Sequence, residues 1–268
     1  MRARAAQKAA EARRRKEELR RRRRGRIASG IAILAGLAVI AVFVIGSQSG
    51  DDEDTTQTGG QQESGGNSGC DAGDPPENDA QQYEQPPTQE QVLNAGADYW
   101  ATIETSCGTI EVDLLEERAP STVANFVFLA EEGFYDGLTW HRVINEFVVQ
   151  GGDPEGDGSG GPGYEFPDEL PDKSKVYTFG AMAMANSGPD TQGSQFFFVT
   201  HDAENALAGK KKLEPAGLQP LYSYFGQASE ESYETLDTIQ KVEVGTEGET
   251  KDRPVDPLYI LSVTIEER

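Results

Sequence analysis

Trp140-His141-Arg142-Val143-Ile144, followed by Phe147 and by Gln150-Gly151-Gly152-Asp153-Pro154, is the stretch whose reading decides this chain. Its companion runs Met184-Ala185-Asn186-Ser187-Gly188-Pro189 and on to Gly193-Ser194-Gln195-Phe196-Phe197-Phe198. Neither block holds a usual nucleophile, a metal cage or a phosphate loop. Together they offer one arginine, two glutamines, an asparagine and several phenylalanines. Those residue types suit a pocket that grips an apolar ring and hydrogen-bonds an amide.

The two blocks, in this order, resemble the cyclophilin family of peptidyl-prolyl cis-trans isomerases over about residues 98–268. The resemblance implies a mainly β fold, an eight-stranded antiparallel barrel capped by two helices. It implies action on X-Pro bonds of proline-containing polypeptides, with no cofactor. An X-Pro bond turns slowly because resonance gives its C–N bond double-bond character, a barrier of ~18–20 kcal/mol. Catalysis needs no covalent step, only tighter binding of the twisted amide than of either planar isomer. In the twisted form the proline nitrogen acquires a lone pair, and a fixed cation that donates to it favours the transition state. Arginine suits this role because it stays charged and its planar fork is held by neighbours.

By resemblance, Arg142 is that cation and Gln150 orients its guanidinium. Phe147, Val148, Phe197 and Leu218 match the positions that enclose the proline ring. Ala185 and Asn186 match the segment that holds the preceding peptide, and Gln195 lies beside it. Tyr222 falls where the family often has His or Tyr. Taken singly, Phe147 and Phe197 read as core, and Arg142 as a surface ion pair; the joint spacing overturns those readings. His141 is expected to make structural hydrogen bonds. A non-catalytic proline-recognising binding module is the rival reading, and retention of Arg142, Phe147, Gln150, Gln195 and Phe197 argues against it.

Other patterns fall away. Asp153-Pro154-Glu155-Gly156-Asp157-Gly158 imitates the start of a calcium loop, but Tyr164 stands at position 12 where a bidentate Glu is needed. The chain departs from the family at Gly217, where many members have Trp beside Leu218, which puts strong cyclosporin binding in doubt. The segment His201 to Ala216 is longer than in compact members and carries Lys210-Lys211-Lys212. Its plain reading is a solvated loop; its functional one is a steering patch for acidic segments.

The flanks set the context. Residues 1–26 carry 13 Lys/Arg against 3 Glu, while the rest of the chain has a net charge of −32. Such an acidic remainder repels nucleic acid, so no nucleic-acid partner is expected. Ile27 to Gly46 is a run of 20 residues with no charge. At ~1.5 Å per residue that run spans a hydrocarbon core, and the basic arm before it is expected to stay cytoplasmic. We therefore expect a single transmembrane helix over 27–46, lipid contact through it and the arm, and the remainder outside the membrane. Residues 47–96, rich in Gly, Gln, Ser, Asp and Pro, read as a disordered acidic linker. Cys70 and Cys107, both on the outer side, permit a disulfide, with two free thiols as the alternative.

The folded domain is expected over 97–268 as a monomer. Tyr99–Thr105 and Thr109–Leu114 alternate as a hairpin about Ser106-Cys107-Gly108. Pro120 opens a helix that Gly133 ends, a second helix is expected from about Ser232 to Val242, and Tyr259–Ile265 reads as a final strand.

Overall fold

The computed structural model describes residue 70, residues 75–78 and residues 80–268. The basic arm, the apolar run 27–46 and linker residues 47–69 lie outside the described residues. Among the described residues no helix is long and apolar enough to cross a membrane.

Eight strands form one antiparallel sheet: β1 Tyr99–Thr105, β2 Gly108–Leu114, β3 Arg142–Ile144, β4 Val148–Gly151, β5 Ala181–Met184, β6 Phe196–Val199, β7 Tyr224–Ala228 and β8 Ile260–Glu267. Their spatial order is β3-β4-β6-β5-β7-β2-β1-β8. The hairpin β1–β2 forms as its alternation predicts, with Tyr99 opposite Leu114 and Thr105 opposite Gly108. The outer strands β3 and β8 do not pair along their lengths. Instead the residues just ahead of each make a single bridge, Thr139 to Tyr259. Trp140 N–H donates to Leu258 O at 2.9 Å and Ile260 N–H to Leu138 O at 2.7 Å beside it. The expected barrel is thus a curved eight-stranded sheet stitched at a short seam.

Among the described residues four α-helices accompany the sheet: α1 Gln89–Val92, α2 Pro120–Glu131, α3 Ala203–Leu207 and α4 Tyr233–Gln240. The two expected helices are α2 and α4. The second starts a residue later than expected because a 3-10 turn, Glu230–Ser232, occupies its approach. Pro120 sits at the start of α2, where its missing N–H costs nothing. The flanking Ala119 offers no side-chain cap. Glu169 supplies one from a distant loop: it accepts from Ser121 N–H at 3.1 Å and Thr122 N–H at 2.7 Å. Gly133, at φ +75°, ends the helix in a backbone conformation that favours glycine.

Successive residues of a strand face opposite sides of the sheet, and here both sides are apolar. On the inner side Val143, Val149, Phe198 and Met182 form one row across β3, β4, β6 and β5. They join a core with Phe126, Tyr135, Trp140, Phe196 and Phe225. Its rings meet edge-on or tilted, as between Phe126 and Phe196 at 5.6 Å and 89°. The offset row, on the outer side, is Arg142, Gln150, Phe197 and Ala183.

The structure differs from the expected linker between residues 75 and 96. Within residues 75–78 and 80–96, Ala80, Tyr83, Val92 and Leu93 pack against the core of the domain. Asn78 Nδ2 donates to Phe134 O at 3.3 Å and Asp136 O at 2.8 Å. The Tyr83 ring stands edge-on to Phe128 at 5.1 Å. Val92 and Leu93 pack on the core. These few apolar residues are diluted by polar ones in sequence, which is why composition alone reads as tether. Cys70 and Cys107 are bridged, which resolves the open alternative.

Candidate active site

Strand register builds the site. Arg142 on β3 lies directly opposite Gln150 on β4, and Gln150 opposite Phe197 on β6. Arg142 Nη1 donates to Gln150 Oε1 at 3.2 Å. Gln150 Nε2 donates in turn to Gln195 Oε1 at 3.0 Å. Gln195 Nε2 donates to the carbonyls of Gly158 at 3.0 Å and Gly160 at 2.8 Å. Each amide in this chain accepts from one side and donates to the other, so the sense of every hydrogen bond is set. The guanidinium is held from behind while Arg142 stays half-exposed.

Beside it lies the apolar half. Val148 and Phe197 are buried in an outer cluster with Tyr177, Ala181, Ala183 and Val199, and Phe147, Ala185, Leu218 and Tyr222 pack against it half-buried. The Tyr222 ring stands edge-on to Phe197 at 5.3 Å and 87°. Tyr177 fixes Tyr222 from below: its hydroxyl donates to Tyr222 O at 2.7 Å. Burial pushes the Tyr177 phenol up to about 12, so it remains a donor at any ordinary pH. The end of the Lys210–Lys212 segment is tied to the same residue, Ala216 N–H donating to Tyr177 O at 2.9 Å. The three lysines themselves are exposed.

The expected site residues therefore come together. Asn186 joins them through an interaction sequence did not suggest: its side-chain amide donates to Leu221 O at 2.8 Å, fixing the loop that carries Tyr222. Ala185 N–H donates to Gln195 O at 2.9 Å. Gly217 has φ +74°, a conformation that opposes the family's Trp, although open space surrounds it.

Two residues behave otherwise than expected or were missed. His141, expected to make structural hydrogen bonds, is buried with neither ring nitrogen partnered among the described residues. Tertiary packing of the motif buries it without bringing an acceptor within reach. Asp153, common to the arginine block and the incomplete calcium loop, has no role assigned by the sequence. It is fully buried, and its carboxylate accepts N–H bonds from Glu155, Asp157 and Gly158, so it shapes the loop that holds Gln195. Its Gly-rich surroundings were the available signal.

Such a site offers a half-exposed guanidinium held by a hydrogen-bonded amide chain beside a cluster of apolar side chains. Known proteins place it in context. A family profile described as cyclophilin type peptidyl-prolyl cis-trans isomerase/CLD matches residues 100–265. The chain is 39% identical over 181 residues to the probable peptidyl-prolyl cis-trans isomerase A of Mycobacterium bovis, covering 62% of this chain and 91% of that protein. It is 41% identical over 186 residues to a putative bifunctional phosphatase/peptidyl-prolyl cis-trans isomerase of Streptococcus pyogenes, and spans only 38% of that longer protein. The crystal structure of a Cryptosporidium parvum cyclophilin type isomerase is similar with a TM-score of 0.54 and 28% identity, covering 64% of this chain and 99% of that one. The same parasite protein has been crystallised in the presence of the dipeptide Ala-Pro. With the family motif, the curved eight-stranded sheet and the relatives all in agreement, the chain belongs to the cyclophilin-type peptidyl-prolyl cis-trans isomerases.

Proposed function

We propose that Arg142 is the catalytic group of this isomerase and that Phe147, Val148, Phe197, Leu218 and Tyr222 seat the proline ring. The observation that carries the reading is the hydrogen-bonded chain from Arg142 through Gln150 to Gln195, beside the apolar cluster around Phe197. A guanidinium already oriented by its neighbours loses little freedom when it donates to the pyramidal proline nitrogen, so its stabilisation is concentrated in the transition state. The deciding experiment is Arg142→Ala assayed on an Ala-Pro peptide series. We expect kcat/KM to fall by roughly 10²–10³, about 2.7–4 kcal/mol, by analogy with loss of an oxyanion donor. Folding is expected to survive, because the side chain is half-exposed. A folded Arg142→Ala protein with undiminished activity would remove Arg142 from this role.

The setting of the activity is part of the proposal. The uncharged run Ile27–Gly46 behind a basic arm supports an uncleaved anchor with the N-terminus cytoplasmic and the isomerase domain outside the membrane. On this reading the substrates are exposed prolines of unfolded or newly exported polypeptides. The domain acts as a monomer on a tether.

A further inference from the structure

The amide chain behind Arg142 ends on a loop, residues 155–163. The carbonyls of Gly158 and Gly160 accept both N–H bonds of the Gln195 carboxamide. With its protons engaged there, Gln195 presents Oε1 to Gln150, and Gln150 presents Oε1 to Arg142. A flipped amide would set donor against donor at the next step. The loop carbonyls therefore decide the sense of the whole chain and, through it, how the guanidinium is held.

Five of the nine residues of this loop are glycine, so it has much conformational freedom to lose and needs fastening. Its near end is fixed from within the domain. Asp153 accepts the N–H bonds of Glu155, Asp157 and Gly158, and Arg253 donates to Gly156 O at 2.7 Å. Its far end meets residues 82 and 83, which lie outside the family match at 100–265. Gln82 Nε2 donates to Gly161 O at 2.9 Å, and Tyr83 N–H donates to Pro162 O at 2.8 Å. Gly163 adopts φ +95°, and a Cβ there would lie 2.7 Å from Tyr83 O, so glycine is what lets the two backbones meet. The incoming segment is itself tied down by the Tyr83 ring on Phe128 and by Asn78 on the carbonyls of Phe134 and Asp136.

We propose that Gln82 and Tyr83 are positioning residues for the isomerisation. By fixing Gly161 and Pro162 they set the Gly160 carbonyl against Gln195, and so keep Arg142 in its donating orientation. The inference rests on the reading of Arg142 as the catalytic group. Neither residue acts by touching substrate. The cost of ordering the loop is met during folding and not at each turnover, so the effect falls on kcat. A stretch that composition reads as linker thereby takes part in the mechanism.

The test uses the full chain in detergent and a neutral Ala-Pro peptide. Gln82→Ala is expected to lower kcat by roughly two- to fivefold, within the worth of one hydrogen bond, and to leave KM nearly unchanged. Tyr83→Pro, which removes the second donor, is expected to do the same, and Gln82→Lys, which restores a donor, to recover most of the loss. In a Gln195→Ala background Gln82→Ala is expected to have no further effect on kcat, because the group it works through is gone. A loss that falls on KM, or an equal loss in both backgrounds, overturns the proposal. Side-chain amide NMR signals of Gln195 and Gln150 and the Nε signal of Arg142, recorded without substrate, are expected to shift in Gln82→Ala. Unshifted signals overturn the positioning role whatever the activity of Arg142→Ala. Shifted signals beside a fully active Arg142→Ala would overturn the catalytic reading alone.

Discussion

His141 stands next to Arg142 in sequence but on the other side of the strand, buried where the arginine is half-exposed. Burial holds its imidazole below the usual value of 6.5; Arg253 and Arg142 push the same way, and Asp153 and Asp157 oppose them. A histidine with a depressed folded-state pKa binds fewer protons folded than unfolded. Its contribution to stability is therefore fully present above the unfolded pKa, near 6.5, and is lost as pH falls through the folded one. We expect the urea midpoint of the wild-type domain to drop on acidification from about pH 7.5 to 5, with this residue contributing at most about 1.4 kcal/mol per pH unit. His141→Gln, which cannot titrate, is expected to lose that part of the slope. Parallel profiles for the two proteins would show that His141 is not the group responsible. Nothing in the local sequence announces this burial, because a lone histidine carries no periodicity.

At the scale of elements, hairpins and helix starts follow local rules, while their fastenings come from far away. Pro120 and Gly133 mark the ends of α2 in the sequence, yet the groups that satisfy its first N–H bonds belong to Glu169, 47 and 48 residues on. The turn of the β1–β2 hairpin carries Cys107, and Cys70 fastens the incoming segment to it across a separation of 37 residues. Closing a loop of that length stabilises by about 4 kcal/mol at most on the chain-entropy account. Replacing both cysteines by serine is therefore expected to lower the urea unfolding free energy by up to about 4 kcal/mol. The strands should remain, because the bridge lies outside the sheet core. An unchanged unfolding midpoint would mean that Asn78, Tyr83 and the packing of Val92 and Leu93 hold the segment without it.

At the scale of the whole molecule, charge is segregated: a net of +10 over residues 1–26 and −32 over the remainder. Long-range repulsion opposes contact of the acidic remainder with anionic surfaces, and on the proposed topology the basic arm would face the anionic cytoplasmic leaflet. If 27–46 anchors the chain as proposed, protease added to intact spheroplasts is expected to remove the isomerase domain and leave the arm protected. Immunoblotting with antibodies to each part reads this out. A full-length chain that survives the protease, or an intact domain recovered in the soluble cytosolic fraction, would refute the topology.

What the sequence determined by itself was whatever short spacing records. Alternation placed β1, β2 and β8 because a strand with one side on a core repeats every second residue. The blocks around Arg142 and Gln195 were legible only through their joint resemblance to a known family, because singly their residues carry no signal. Arg142 opposite Gln150 is eight residues of chain and one tight turn. Only the tertiary structure decided which distant pieces meet. It brought Gln150 to Phe197 and Gln195, seated Tyr222 against Phe197, and placed β7 between β5 and β2. It also laid Gln82 and Tyr83 on the Gly-rich loop and joined Cys70 to Cys107. The physical reason is one and the same. Long-range contacts are selected by the burial and hydrogen bonding they complete together, a property of the assembled surfaces that no single segment contains.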